Sequence, residues 1–191
     1  CSESILSNQN TEGFWNYPDG GWKGRIATVE GCYASLALLA ISKYNGNEKY
    51  IKAATKWHDF CFRKIGFEKY KSGGECINYF SNTGNALIPN NATIFLWYTA
   101  ALWQQTKDPQ HLEKTSESLD FLQNVQKDSG ELPYSLSFKT FKGKDCYLCY
   151  QYNAFQFLDL LNYYDITKDS KAYEICSKIS NYLSQGLSEV G

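Results

Sequence analysis

The chain repeats one design three times. A long polar loop runs into a helix-length segment that is apolar on nearly every side. A short polar connection follows, and then a second helix-length segment that is apolar on one face only. The first copy begins at Gly21–Ile41, GWKGRIATVEGCYASLALLAI. Its successors start near Thr93-Ile-Phe-Leu-Trp-Tyr-Thr-Ala-Ala-Leu-Trp103 and near Ala154-Phe155. Tyr50, His111 and Tyr173 occupy matching places early in the amphipathic segments, so the copies are almost evenly spaced. A period of about 60 residues built from two helices marks an array of αα-hairpins, each burying its apolar face only against its neighbours. The predicted fold class is therefore all-α. Inner helices are expected at about 29–44, 91–105 and 151–166, and outer helices at about 48–65, 109–126 and 170–185, in two layers. Helices apolar all round are expected to be buried all round.

Local chemistry supports these boundaries. Thr28 is the expected N-cap of the first inner helix, with Glu30 in the first turn, where a carboxylate suits the helix dipole. Asn45-Gly46-Asn47, Lys107-Asp108-Pro109 and Thr167-Lys168-Asp169 are turn sequences of helix-to-helix length. In the first outer segment Tyr50, Ala54, Trp57, Cys61 and Ile65 recur at helical spacing, while Lys49, Lys52, Lys56, Asp59 and Arg63 take the other face. The third outer segment is expected to bury Tyr173, Cys176, Ile179 and Leu183.

A chain of 191 residues is long enough for one domain with a sizeable core. The 15 Tyr, 11 Phe and 5 Trp must pack inside or line a cleft. With a net charge of −1 and no basic block, nucleic acid has little electrostatic hold, and no apolar run is long enough to span a bilayer. The seven cysteines are odd in number and scattered. Cys32, Cys61 and Cys176 fall on apolar helical faces, which favours a reducing, cytoplasmic setting over a disulfide framework. The absence of Met points to a fragment of a longer chain, treated as one domain over 1–191. A processed lipoprotein with Cys1 at its N-terminus is the alternative.

The repeat, together with Gln9-x-x-x-Gly13-x-Trp15, resembles the α/α-toroid proteins: terpenoid cyclases, prenyltransferase β subunits, and the six-hairpin hydrolases, lyases and epimerases that act on carbohydrates. The Gln9 motif fits the QxxxGxW signature of triterpene cyclases, and Gln126-x-x-x-Gly130 keeps its Gln and Gly with Leu132 in place of Trp. In that family the motif is structural, tying the end of an outer helix to the next turn. The aspartate-rich acid motif of the cyclases does not occur. The resemblance implies a toroid of five to seven hairpins, of which three and a preceding half are present. Self-association or contact with missing hairpins is then expected to cover the open edges.

The loops between hairpins run to about 20 residues or more, which is long for plain connections. All of them enter inner helices at their N-termini, so they should gather on one face. The resemblance places function there, and helix N-termini favour an anionic ligand. Glu30 and Asp145 are the candidate catalytic carboxylates, as general acid and base; first-turn capping explains Glu30 equally. Lys23 and Arg25 are candidate anion binders, or solvated loop charges. Trp22 is a candidate stacking surface, with Trp15, Tyr17 and Tyr79 beside it in this role or in packing between repeats. Asn90, Tyr150, Gln151 and Asn153 have the chemistry of a sugar subsite, although Asn90 and Asn91 also suit N-caps. No cofactor or metal is expected: Cys146-x-x-Cys149 supplies two ligands, while His58 and His111 fall on outer helices. The leading expectation is a carbohydrate-active or carbohydrate-binding toroid domain taking an oligosaccharide. The rivals are a helical-repeat scaffold binding peptide or glycan, and an enzyme of the terpenoid-cyclase or prenyltransferase type.

Overall fold

The computed structural model describes residues 2–81, 87–136 and 150–186. Helix α1 (Ser2–Ser7) leads into α2 (Thr28–Asn45) and α3 (Glu48–Phe60), which ends in a π turn over Cys61–Ile65. A two-stranded antiparallel sheet, β1 (Phe67–Lys69) with β2 (Glu75–Ile77), interrupts the second long loop. Then come α4 (Pro89–Thr106), a 3-10 turn over Pro109–Leu112, α5 (Thr115–Val125), α6 (Tyr150–Thr167) and α7 (Ser170–Ser184). Helices α2, α4 and α6 lie side by side as the inner layer, and α3, α5 and α7 back them as the outer layer.

The repeat is visible in the caps. Gly46, Lys107 and Lys168 each take left-handed backbone at the end of an inner helix. The next residues, Asn47, Asp108 and Asp169, each accept a hydrogen bond from the backbone N–H two residues on. The interval from Asn47 to Asp108 equals that from Asp108 to Asp169, so the caps set an even register. This register corrects one expectation. Ala172, fully buried, is the counterpart of buried Tyr50 and His111, and Tyr173 is 56% exposed. Thr28 is not an N-cap either. Ala27 takes that position without a side-chain bond, and the Thr28 hydroxyl donates to the Asn78 carbonyl, fastening the second loop onto α2.

The loop turns repeat as well. Gln9 Nε2 donates to Gly13 O and Ala53 O, and Gln126 Nε2 donates to Gly130 O and Ile175 O. One amide thus ties the end of an outer helix to the turn beyond it and to the next outer helix. Glycine is required there. At Gly130 (φ 93°) a Cβ would sit 2.1 Å from the Lys178 carbonyl oxygen, and at Gly13 (φ 102°) 2.5 Å from that of Lys56.

The core lies between the layers. Cys32, Trp57, Phe60, Phe95 and Tyr98 fill the first half, and Leu96, Phe121, Leu122, Leu160 and Ile179 the second. Each large apolar side chain so buried contributes roughly 1.5–3 kcal/mol. Only α4, flanked on both sides, is buried nearly all round. The expectation fails for α2 and α6, which keep an open face: Tyr33 and Tyr44 on α2, and Phe155 and Leu158 on α6, are exposed, Tyr44 to 91%. These two helices are the edges of the inner layer, and each has an inner-helix neighbour on one side only. Among the described residues no helix is long and apolar enough to cross a membrane.

Candidate functional site at the long-loop face

The first loop folds back on itself before α2. Tyr17 N donates to Arg25 O and Gly24 N to Tyr17 O, so Trp22 is held at the loop tip. Thr28 N to Tyr79 O, Ser81 N to Ile26 O and a bridge between Ala27 and Phe80 join the first loop to the second. This brings four aromatic rings together. Trp22 meets Tyr17, Tyr79 and Phe80 edge-on at centroid distances of 5.7, 5.9 and 5.4 Å. The Arg25 guanidinium lies 5.0 Å above the Phe80 ring. The third loop arrives through Tyr134, packed edge-on against Tyr152 of α6 at 4.9 Å.

Glu30 stands in the first turn of α2 beneath this cluster. Burial raises its pKa above the usual carboxylate value, and its own backbone N–H only partly offsets that. One carboxyl oxygen, Oε2, is buried and has no hydrogen-bond partner. The Tyr79 phenol is pushed up to about 12, first by burial and then by the charges of Glu30, Tyr134, Tyr17 and Tyr152. These side chains come from all three loops and two inner helices and share one neighbourhood. A half-buried acid beside several phenols and an exposed indole can hold a polyhydroxylated ring and move a proton.

The remaining candidates divide. Trp22, Lys23 and Arg25 are exposed at the loop tip, and Asn90 is half-buried in the first turn of α4. Tyr150 is exposed but stacks on Tyr182 at 4.9 Å, and Gln151 is exposed beside it. Asn153 is buried and occupied structurally: Oδ1 accepts from Leu132 N and Nδ2 donates to Leu132 O, which anchors the third loop. Trp15 packs against Trp57, away from the Trp22 group, and donates to Ile5 O. Asp145, Cys146 and Cys149 lie outside the described residues. Among the described residues no three His, Cys, Asp or Glu side chains converge as metal ligands.

Two further polar features were not anticipated. Asp159, in the middle of α6, is 2% exposed and accepts from Thr93 Oγ1 of α4 at 2.9 Å. Burial raises its pKa to about 7, against the opposing pull of the Thr93 hydroxyl. One turn earlier, Gln156 is buried with neither amide atom bonded. The signal was a lone acid inside the apolar run Phe157-Leu158-Asp159-Leu160-Leu161. At the opposite end of the inner layer, a cavity of about 300 Å³ is lined by Lys43, Trp97, Gln104, Asn162 and Asp165, among others.

No protein-family model matches the sequence, and a comparison with curated proteins finds no match. Solved structures do match. A family 76 glycoside hydrolase from a bovine Bacteroides thetaiotaomicron strain superposes with TM-score 0.69 at 15% identity, over 90% of this chain and 37% of that one. A sugar epimerase from a ruminal bacterium gives 0.74 at 9% identity, over 93% and 50%. An inactive variant of an α-1,6-mannanase of Salegentibacter sp. HEL1_6, in complex with α-1,6-mannotriose, gives 0.71 at 13% identity, over 98% and 51%. The fold is a partial α/α toroid. The chain spans about half the length, or less, of these structures. At such identities the likeness establishes the fold alone, so the chemistry rests on the residues above.

Proposed function

We propose that the long-loop face of this half toroid binds a carbohydrate and that Glu30 acts on it as a proton donor. The observation that carries the reading is the unpartnered Glu30 oxygen beneath the Trp22–Tyr17–Tyr79 cluster. A carboxyl whose pKa burial raises suits general acid work. Trp22, 43% exposed, offers a stacking face for a pyranose ring. Asn90, Gln151 and Tyr150 are the proposed partners for sugar hydroxyls. Lys23 and Arg25 extend the reading to a sugar carrying a carboxylate, because both cations stand exposed at the loop tip. Asp145 is the proposed second carboxylate. The solved structures named above act on sugars, which supports carbohydrate over isoprenoid.

The test is calorimetric titration with α-1,6-mannotriose, cellobiose and a uronate-containing oligosaccharide, followed by product analysis. Trp22→Ala is expected to weaken binding about 10-fold or more, in line with the roughly 1–3 kcal/mol of a stacked aromatic. Glu30→Gln is expected to keep binding within a few-fold and remove turnover. Turnover unchanged in Glu30→Gln overturns the catalytic role, and no binding of any of the three overturns the carbohydrate reading.

A further inference from the structure

Helix α4 begins without a side-chain cap. Ile88 precedes it and gives no side-chain bond to its first turn. A side-chain bond comes from within the helix instead: Thr93 Oγ1 donates to Asn90 O at 3.1 Å. The same hydroxyl lies 2.9 Å from Asp159 Oδ2, across the seam with α6. A threonine hydroxyl carries one proton and can also accept. It cannot serve both acceptors fully, and which one it serves depends on the charge of Asp159. While Asp159 is ionised, the carboxylate draws the Thr93 proton, because a charged acceptor makes the stronger bond. When Asp159 is protonated, its own O–H donates to Thr93 Oγ1, and the Thr93 proton turns to Asn90 O.

The surroundings suit a group that changes charge. Thr93 is fully buried and Asp159 nearly so, which keeps competing water from the seam. Gln156, one turn before Asp159 on α6, is buried with neither amide atom bonded. Residues three apart on a helix are neighbours, and an amide can turn its oxygen to a protonated carboxyl or its nitrogen to an ionised one. Helix α4 brings no charged side chain to the seam, and its one ionisable group is Tyr98. On α2 the groups that feel the Asp159 charge are Cys32 and Tyr33, neither of them a cation. On α7, Glu174 and Lys178 face solvent, and Lys171 pairs with Asp120 of α5. Burial raises the Asp159 pKa to about 7, so both charge states are reached near neutral pH.

We propose that Asp159 and Thr93 form a proton-operated latch on the first turn of α4, which positions Asn90 at the long-loop face. At lower pH the latch is closed: the Thr93 bond holds the Asn90 carbonyl, and with it the turn that carries the Asn90 side chain. At higher pH the latch is open: the Thr93 proton goes to Asp159, and the turn keeps only its backbone bonds. Asp159 and Thr93 touch no substrate and are positioning residues. The part of Asn90 as a sugar contact rests on the carbohydrate reading above, whereas the latch does not.

The experiment has two arms. The first needs no sugar and follows the 13C shift of the Asn90 carbonyl by NMR from about pH 5 to about pH 9. One step near the Asp159 pKa is expected in the wild type. Thr93→Ser is expected to keep the step, Asp159→Asn to lose it and Thr93→Val to lose most of it. A flat Asn90 carbonyl in the wild type overturns the latch, and so does a step of full size in Thr93→Val. The second arm is calorimetric titration with α-1,6-mannotriose, cellobiose and a uronate-containing oligosaccharide over the same range. Relative to Asp159→Asn, in which Glu30 still titrates, wild-type affinity is expected to fall about 2- to 10-fold as pH rises, the worth of one hydrogen bond. The same pH profile in both proteins overturns the positioning of Asn90. A carbonyl step with no binding of any of the three sugars supports the latch and overturns the carbohydrate reading alone.

Discussion

Replacing Asp159 by Asn should remove a loss of stability that the wild-type protein suffers as pH rises from about 4 to about 7. Asp159 is 2% exposed, between α4 and α6, and among the described residues its side-chain hydrogen-bond donor is the Thr93 hydroxyl at 2.9 Å. One hydroxyl is poor recompense for the lost hydration of a carboxylate, so burial raises the pKa from 3.8 to about 7. The folded chain then holds a proton that the unfolded chain has released throughout that window. A raised folded-state pKa means stability that is intact below 3.8 and is lost as pH rises towards about 7. The difference of roughly 3 pH units corresponds to about 4 kcal/mol at and above pH 8. Asparagine keeps the acceptor for Thr93 and cannot ionise. Its amide N–H groups add a penalty that shifts the curve without tilting it. The assay is urea unfolding of both proteins from about pH 4 to about pH 8, the fluorescence of the five Trp reporting. The variant-minus-wild-type stability difference is expected to grow by about 4 kcal/mol over that range, or on the order of 10 °C in Tm. A difference that stays flat with pH refutes the argument, because it would mean that Asp159 is solvated or paired in solution.

His58 carries the opposite sign. Its pKa is lowered to about 4, chiefly by burial and next by the charge of His111, whose ring lies 4.7 Å away. Stability from this group is intact above 6.5 and is lost as pH falls towards about 4, by about 3 kcal/mol in all; His58→Phe should flatten that acid limb in the same unfolding series. Gly130→Ala should destabilise by at least about 2–3 kcal/mol, through a clash with the Lys178 carbonyl and a strained φ. Gly24→Ala, also at positive φ but with open space around it, should lose only about 1 kcal/mol by thermal melt. Equal losses at the two glycines would contradict the packing assigned to the loop turns.

The period of the sequence determined most of this architecture. A helix apolar on all sides followed by an amphipathic one leaves few arrangements other than an inner and an outer layer, and the connection sequences marked the helix ends to within a few residues. The Gln9 and Gln126 motifs were readable for the same reason: a glycine four residues after a glutamine that ends a helix has a local geometric meaning. What lay beyond reach depended on partners distant along the chain. Thr28 is a natural cap by type, yet the Asn78 carbonyl, 50 residues on, claims its hydroxyl. Asn153 has the chemistry of a sugar ligand, yet Leu132 occupies both ends of its amide. Apolar periodicity showed that α2, α4 and α6 are all inner helices. It did not show that α4 alone has neighbours on both sides, because coverage is a property of the assembled layer. Glu30 was recognisable as a first-turn carboxylate from the sequence. Only the tertiary structure left one of its oxygens buried and unpartnered beneath the aromatic rings, because that required three loops, far apart along the chain, to meet on one face.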